Sequence, residues 1–118
     1  MVAASGYVPE RGDVVRLAFT PQAGREQAGR RPAVVLTPAR YNDKAGLAIC
    51  CPITSQVKGY PFEVSLPAGP PVGGVILADQ VKSLDWRIRR ATRIARLPDD
   101  VMEDLLLKLG ALLQIPTE

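Results

Sequence analysis

Histidine is absent from this chain of 118 residues. That absence removes the side chain that most often serves as a general acid or base near neutral pH, and also the commonest metal ligand. Any catalysis must therefore use other side chains, and the sequence predicts neither a metal nor another cofactor.

Cysteine occurs only at the adjacent positions Cys50 and Cys51. Successive residues of a strand point to opposite faces, so these thiols are expected to face away from each other. A disulfide between neighbours or a metal site is an alternative, but two small buried hydrophobic side chains account better for the pair.

Long apolar runs are also lacking. None approaches the roughly 18 residues that cross a bilayer, and the first residues, MVAASGYVPERGD, lack the charged start and apolar middle of a signal peptide. We therefore expect a cytoplasmic protein with no membrane partner. Aromatic residues make up 5% of the chain, which argues against a base-stacking platform.

The rest of the composition is that of one globular domain over residues 1–118. Hydrophobic residues make up 47% and charged residues 23%, which argues against a disordered chain. The length allows a single core but not two. A net charge of +3 permits a nucleic-acid partner without requiring one.

Short apolar segments between turn-forming residues predict a β-rich fold. We expect strands at 12–19, 31–38, 47–55, from 62, at 75–86 and at 92–97. Residues 20–31 and 67–74 are expected to be loops, and residues 39–46 a turn. A break is expected at Pro52, and a bulge near Asp79 and Gln80.

The chain changes period at residues 97–114, which predict a helix. Pro98 stands near its start and acidic residues follow in the first two turns, as helix N-termini prefer. An apolar stripe, either core or a homodimer face, is formed by Val101, Leu105, Leu109 and Leu112 and widened by Met102, Leu106 and Leu113. Short strands followed by one amphipathic helix predict a small β-barrel with a C-terminal helix.

Two arginines, Arg30 and Arg31, precede the second predicted strand. Pro32 favours an extended backbone at Arg31, and a guanidinium held at a strand end can donate up to five hydrogen bonds in a geometry that suits a phosphate. A solvated loop end is the alternative.

The next predicted strand ends with two hydroxyl residues, Thr54 and Ser55. They either cap the strand end, or one of them converges with Arg31 on a phosphoryl group. The run WRIRRATRIAR, at 86–96, contains five arginines. It is either a solvated face or a charged edge strand that blocks aggregation, and it would add salt-sensitive affinity for a phosphate backbone.

The blocks EQAGRRPAVVLTP, CPITSQVKGYPFEV and ILADQVKSLDW resemble the MazF/PemK family of toxin endoribonucleases, also called mRNA interferases. The resemblance covers most of the chain. It implies the SH3-like barrel of CcdB/MazF/PemK-type plasmid maintenance toxins, a homodimer, and metal-independent cleavage of single-stranded RNA at short sequences, which inhibits translation and growth. It also implies a cognate antitoxin whose disordered C-terminal tail covers the RNA groove.

The resemblance assigns roles to particular residues. The family's essential arginine falls on Arg31, its essential threonine on Thr54, and the acidic residue of its first loop on Glu26. Contacts to RNA are implied at Lys58, Asp79 and Gln80, with Arg30 as an auxiliary contact. Ser55 replaces what is often a second threonine.

The implied reaction is attack of the RNA 2′-OH on the adjacent phosphate, which yields a 2′,3′-cyclic phosphate and a 5′-OH end. Arg31 stays protonated and would stabilise the phosphorane charge. Thr54 would hold a non-bridging oxygen. Glu26 is the best available general base, although it lies in a loop.

Two other functions remain as alternatives. A CcdB-like gyrase poison depends on a C-terminal tail ending in Trp-Gly-Ile, whereas this chain ends in QIPTE and its single tryptophan is Trp86. A non-catalytic barrel that binds nucleic acid or peptide is the second alternative, and the presence of Arg31 and Thr54 argues against it. The sequence does not predict which RNA motif is cut.

Overall fold

The computed structural model describes residues 6–18, 30–69 and 71–116. Those residues form seven strands and two helices: β1 (Asp13–Ala18), β2 (Arg30–Val35), α1 (Ala39–Ala45), β3 (Leu47–Thr54), β4 (Glu63–Ser65), β5 (Val75–Leu77), β6 (Lys82–Asp85), β7 (Thr92–Arg96) and α2 (Asp99–Leu113). The mainly-β fold with a C-terminal helix is confirmed. In the ranges described, no helix is long and apolar enough to cross a membrane.

The strands pair antiparallel in the order β4-β5-β3-β2-β1-β7, and β6 pairs with β3 outside this path. Within the described residues the path ends at β4 and at β7, so the sheet is open. The small barrel that the strand pattern predicts is thus an open one. The sheet also branches at β3, one side of which pairs with β5 and with β6.

Strand β3 runs through Pro52, where a break was expected. Pro52 pairs with Ala33 of β2. Because Leu36 N donates to Ile49 O at 2.8 Å, the alternation of an antiparallel ladder makes Ala33–Pro52 a pair without mutual hydrogen bonds. The imide nitrogen of Pro52 therefore points away from β2, toward the gap between the residues of β3 that pair with β6 and those that pair with β5. No ladder hydrogen bond is needed there, so the missing N–H costs little. The break affects only one of the strand's two ladders.

The long strand expected over 75–86 is interrupted. Ile53 and Cys50 are three positions apart along β3, whereas their partners Ile76 and Lys82 are six apart. The segment between β5 and β6 therefore contains three more residues than the facing stretch of β3, and these do not pair with β3. The interruption lies where a bulge was expected, but it is large enough to make two strands.

The turn expected at 39–46 is wrong, because Ala39–Ala45 forms helix α1. The fully buried Asn42 donates its Nδ2 to Pro9 O at 2.7 Å and to Thr37 O at 2.9 Å, and it accepts from Thr37 Oγ1 at 2.6 Å. Gly46 ends the helix at φ +72°, a conformation that glycine adopts readily. Tertiary hydrogen bonds to Asn42 thus stabilise a helix where local composition indicated a turn.

Both faces of the sheet are buried, which gives the fold two hydrophobic clusters. Cys51 belongs to the cluster beneath α2, where Met102 and Leu105 are buried. Cys50 belongs to the cluster on the other face, together with Trp86. Both thiols are free and buried, so the expected opposite orientation of the two cysteines is confirmed.

The basic run at 86–96 divides into a turn and the edge strand β7. Arg93 and Arg96 of β7 flank the buried carboxylate of Asp13, with Arg96 Nη1 at 3.2 Å from Asp13 Oδ1 and Arg93 Nε at 3.7 Å. Tyr7 donates its hydroxyl to Asp13 Oδ2 at 2.6 Å. Of the two alternatives for this run, the charged edge strand is the one found in the described residues, and part of its charge is neutralised within the fold.

Candidate active site

Arg31 is the second residue of β2, and its side chain is exposed. It pairs with Leu17 of β1. Because side chains alternate along a strand, it lies on the face of Ala33 and Val35, which line the cluster around Trp86. Its guanidinium makes no hydrogen bond or ion pair with the part of the chain that the structure describes. Its guanidinium donors therefore remain available at the rim of this cluster.

Thr54 is the last residue of β3, and it pairs with Val75 of β5. Its Oγ1 accepts a hydrogen bond from the backbone N–H of Gln56 at 3.1 Å. The strand-end cap considered for this hydroxyl is thus present. Because the hydroxyl acts there as an acceptor, its own hydrogen is still free to be donated.

The register of β2 and β3, continued beyond its last pair, predicts that Arg31 and Thr54 lie close together. The recorded ladder ends at the pair Ala33–Pro52, and two further residues in the same register place Arg31 opposite Thr54 on one face. Side chains in directly opposite positions have Cβ atoms about 4.5–5.5 Å apart. Continued in this way, the register predicts that these two residues, 23 positions apart in the sequence, are neighbours at one end of the sheet.

Arg30 takes the opposite face from Arg31, and protein atoms engage it. Its Nη2 lies 3.1 Å from Arg16 O, 3.0 Å from Arg90 O and 3.2 Å from Thr92 Oγ1. The side chain thus links the start of β2 to the end of β1 and to the turn before β7. Its auxiliary contact with RNA stays a prediction, but a structural role is clear.

Lys58 lies in the exposed loop between β3 and β4. The carboxylate of Glu63 holds this loop by accepting the backbone N–H of Lys58 at 3.1 Å and that of Gly59 at 2.9 Å. Gly59 has φ +82°. The role of Glu63 was not foreseen from the sequence; an acidic residue four positions after a turn glycine is the signal that could have indicated it.

Asp79 and Gln80 are exposed on the interruption between β5 and β6, on the far side of β3 from β2. Burial, and secondarily the negative charge of Asp79, raises the pKa of the Cys51 thiol to about 12. Strand β2, which carries Arg31, lies on the other side of β3 from Asp79 and Gln80.

Glu26 lies outside the described residues, as do the other residues of the range 19–29. Its role as general base therefore stays a prediction. Within the described ranges, no group of three His, Cys, Asp or Glu side chains is placed to hold a metal ion.

The loop after Thr54 also presents aromatic side chains that sequence reasoning missed. Tyr60 is 60% exposed and Phe62 is 37% exposed. The low aromatic content argued against base stacking, but overall content says nothing about location. Two exposed aromatic rings in the loop that carries Lys58 offer surfaces on which bases can stack.

A family described as PemK-like, MazF-like toxins of type II toxin–antitoxin systems matches residues 10–113. This chain belongs to that family. The endoribonuclease toxin MazF of Escherichia coli K12 is 49% identical over 109 residues, which make up 92% of this chain and 97% of that protein. The endoribonuclease PemK of Escherichia coli is 34% identical over 88% of this chain and 81% of its own.

Solved structures agree with the membership of this chain in the PemK/MazF-like toxins. A MazE–MazF crystal structure from Deinococcus radiodurans superposes with a TM-score of 0.85 at 56% identity, covering 93% of this chain and 100% of the matched chain. A mycobacterial endoribonuclease in complex with its cognate antitoxin has a TM-score of 0.76 at 18% identity and covers 93% and 99% of the two chains. At that identity, the likeness concerns the fold alone.

Proposed function

We propose that this PemK/MazF-like toxin is a sequence-specific, metal-independent endoribonuclease that cuts single-stranded RNA, mRNA above all, and so inhibits translation and growth. One observation carries the proposal: the exposed guanidinium of Arg31 has no hydrogen-bond partner among the described residues, and the β2–β3 register, continued two residues past Ala33–Pro52, places Arg31 opposite Thr54. The endoribonuclease names of its relatives support the same reaction. The activity belongs in the cytoplasm, where mRNA is found.

In the proposed reaction the RNA supplies its own nucleophile. The 2′ oxygen attacks the adjacent phosphorus, its proton passes to the carboxylate of Glu26, and the bond from phosphorus to the 5′ oxygen breaks. The leaving 5′ oxygen takes a proton from water. The products are a 2′,3′-cyclic phosphate and a 5′-OH end, and DNA resists cleavage because it lacks the 2′-OH.

Arg31 and Thr54 bind different oxygens of the phosphate. The guanidinium of Arg31 donates to the oxygens that gain negative charge in the phosphorane, where a fixed cation contributes most. Thr54 donates its hydroxyl hydrogen to a non-bridging oxygen while Oγ1 accepts from Gln56 N, so that the acceptor bond keeps the hydroxyl oriented. Both groups hold the phosphate without needing to titrate.

The surface around the two residues suits a single RNA strand. Lys58 adds positive charge in the loop after β3, and Tyr60 and Phe62 add stacking surfaces. Asp79 and Gln80 provide an acceptor and an amide for base edges on the other side of β3. Contacts of this kind would select the sequence that is cut.

A homodimer and a cognate antitoxin complete the proposal. Leu106 and Leu113 of α2 are 38% and 68% exposed, although they belong to the apolar stripe whose other members pack on the core. A second copy would cover this outer part of the helix. The MazE–MazF complexes of Deinococcus radiodurans support an antitoxin partner, with a disordered C-terminal tail laid over the RNA groove.

The first experiment is to incubate the protein with a long single-stranded RNA in EDTA and to map the new 5′ ends. We expect cuts at one recurring short motif, lost in Arg31→Ala and in Thr54→Ala. Arg40→Ala is the matched control, since Arg40 is an exposed arginine on α1, at the other end of β2. It should cut like the wild type.

Other outcomes would identify the alternatives. RNA that is bound but never cut would indicate a non-catalytic binding barrel. Gyrase-dependent DNA breaks in expressing cells would indicate a CcdB-like poison. Cleavage that EDTA abolishes would contradict the metal-independent mechanism.

A further inference from the structure

We infer that Gly74 is a positioning residue for Thr54: its backbone lies against the exit of β3 so closely that only glycine leaves Thr54 in place. The inference rests on the proposed function, because it concerns how the phosphate-binding hydroxyl is held. It adds a residue to which the proposed mechanism gives no part.

The first line of evidence is the space at Gly74. A Cβ there would lie 2.9 Å from both the carbonyl carbon of Thr54 and the Cα of Ser55, and even nearer to the Thr54 carbonyl oxygen. Real Cβ atoms essentially never approach other atoms so closely. All three atoms belong to the backbone, which cannot rotate away as a flexible side chain can.

The second line of evidence is that Gly74 has little freedom to retreat. Its carbonyl accepts the N–H of Leu66 at 3.0 Å, and the next residue, Val75, pairs with Ser65 on one side and Thr54 on the other. Gly74 also has φ +107°, a conformation that residues with a Cβ rarely adopt. A side chain at this position would therefore push the end of β3 and the start of β5 apart.

That displacement would act directly on the catalytic hydroxyl. Thr54 lies at the end of its strand, and its Oγ1 is oriented by the N–H of Gln56 two residues later. Moving the Thr54 carbonyl and the Ser55 Cα shifts the segment that joins these two groups. A misplacement of about 1 Å can lower the rate of a reaction about 100-fold, because the reacting geometry is lost.

The chain supplies two matched glycine controls in the same region. Gly69 has φ +105°, almost the value of Gly74, but nothing lies within 4 Å of its Cβ position. Gly69→Ala therefore introduces the backbone strain without the collision. Gly73 likewise has nothing within 4 Å and carries no strained φ, so Gly73→Ala tests the mere loss of a neighbouring glycine.

The experiment compares Gly74→Ala, Gly69→Ala and Gly73→Ala on a short RNA containing the mapped cleavage motif. We expect Gly74→Ala to lower kcat about 100-fold with little change in KM. The Kd for the same RNA with a 2′-deoxy residue at the scissile position should stay within about twofold of the wild type, because binding surfaces elsewhere are intact. Both controls should keep kcat within about threefold.

Two further measurements separate positioning from loss of structure. Thermal unfolding should show that Gly74→Ala is folded at the assay temperature. Adding Thr54→Ala to Gly74→Ala should then reduce kcat much less than Thr54→Ala does alone, because a hydroxyl already displaced has little left to lose. Equal kcat values for folded Gly74→Ala and Gly69→Ala, or full additivity, would overturn the inference.

If Gly74→Ala does not fold, hydrogen exchange of the wild type provides the test. A hydroxyl held in place should slow exchange at the Gln56 amide at least about tenfold relative to an unstructured peptide, and an unprotected Gln56 amide would overturn the inference. Failure of the proposed function is distinguishable, since the wild type itself would then cut no RNA.

Discussion

Arg30 and Arg31 are adjacent in the sequence, but they point to opposite faces of β2, and of their two guanidinium groups only that of Arg30 is hydrogen-bonded to the described residues. Arg30 Nη2 meets three acceptors at 3.0–3.2 Å, whereas Arg31 is exposed at the rim of the cluster around Trp86. The pair thus divides into a structural residue and a candidate catalytic residue.

This division predicts opposite effects for the two alanine variants. Arg31→Ala should lower RNA cleavage at least about 100-fold, because the phosphorane loses its cation, and its midpoint of unfolding should be unchanged. Arg30→Ala should lower the free energy of unfolding by about 1–2 kcal/mol, since partly exposed hydrogen bonds are lost.

Urea unfolding monitored by Trp86 fluorescence, together with the cleavage assay, separates these effects. A stability loss in Arg31→Ala that matches that of Arg30→Ala would contradict the division. Arg40→Ala serves again as the neutral control.

Asn42 is predicted to be among the most important polar residues for stability. It is fully buried and makes three side-chain hydrogen bonds, to Pro9 O, Thr37 O and Thr37 Oγ1. Asn42→Ala leaves those groups unpaired and should lower the free energy of unfolding by about 3 kcal/mol. Lys44→Ala, an exposed change on the same helix, should alter it by less than about 0.5 kcal/mol. Chemical denaturation of the two variants checks this, and equal stabilities would refute it.

The two thiols predict a dependence of stability on alkaline pH. Burial raises the pKa of Cys50, and of Cys51, from 9.0 to about 12. In the unfolded chain both ionise near pH 9, while in the folded chain they remain protonated. Their contribution to stability is therefore fully present below pH 9 and is lost as the pH rises from 9 to about 12.

Cys50→Ala/Cys51→Ala isolates this contribution from that of the lysines and tyrosines. Its free energy of unfolding should decline less steeply above pH 9 than that of the wild type. In the folded wild type, a thiol reagent at pH 8 should react with neither cysteine; rapid labelling without unfolding would show that the thiols are accessible after all.

Glu63 is predicted to act on RNA affinity through the loop that carries Lys58. Glu63→Ala removes the acceptors of two backbone N–H groups, so the loop must be ordered when RNA binds. The Kd for the 2′-deoxy RNA should rise about tenfold, while global stability changes little. Glu63→Gln keeps one acceptor oxygen, so its Kd should lie between those of the wild type and Glu63→Ala. Fluorescence anisotropy measures the three Kd values. A Kd of Glu63→Ala equal to that of the wild type would contradict this role of Glu63.

Local spacing in the sequence was enough to predict much of this protein. The opposite orientation of Cys50 and Cys51 follows from the twofold alternation of a strand, and the core-facing residues of α2 follow from helical spacing. The charged edge strand β7 follows from alternating arginines. These features depend on residues a few positions apart, whose geometry is set by the backbone itself.

What lies opposite a residue, however, depends on pairing between distant segments. The segment around Asn42 is a helix instead of a turn because the Asn42 side chain hydrogen-bonds to Pro9 and Thr37. Arg30 differs from Arg31 because its acceptors, in β1 and at the start of β7, lie on only one face of β2. The approach of Gly74 to Thr54 likewise exists only once β5 pairs with β3. Sequence determined which face each side chain takes; only the register of the folded sheet decided its partner, because pairing is a long-range contact that no local pattern encodes.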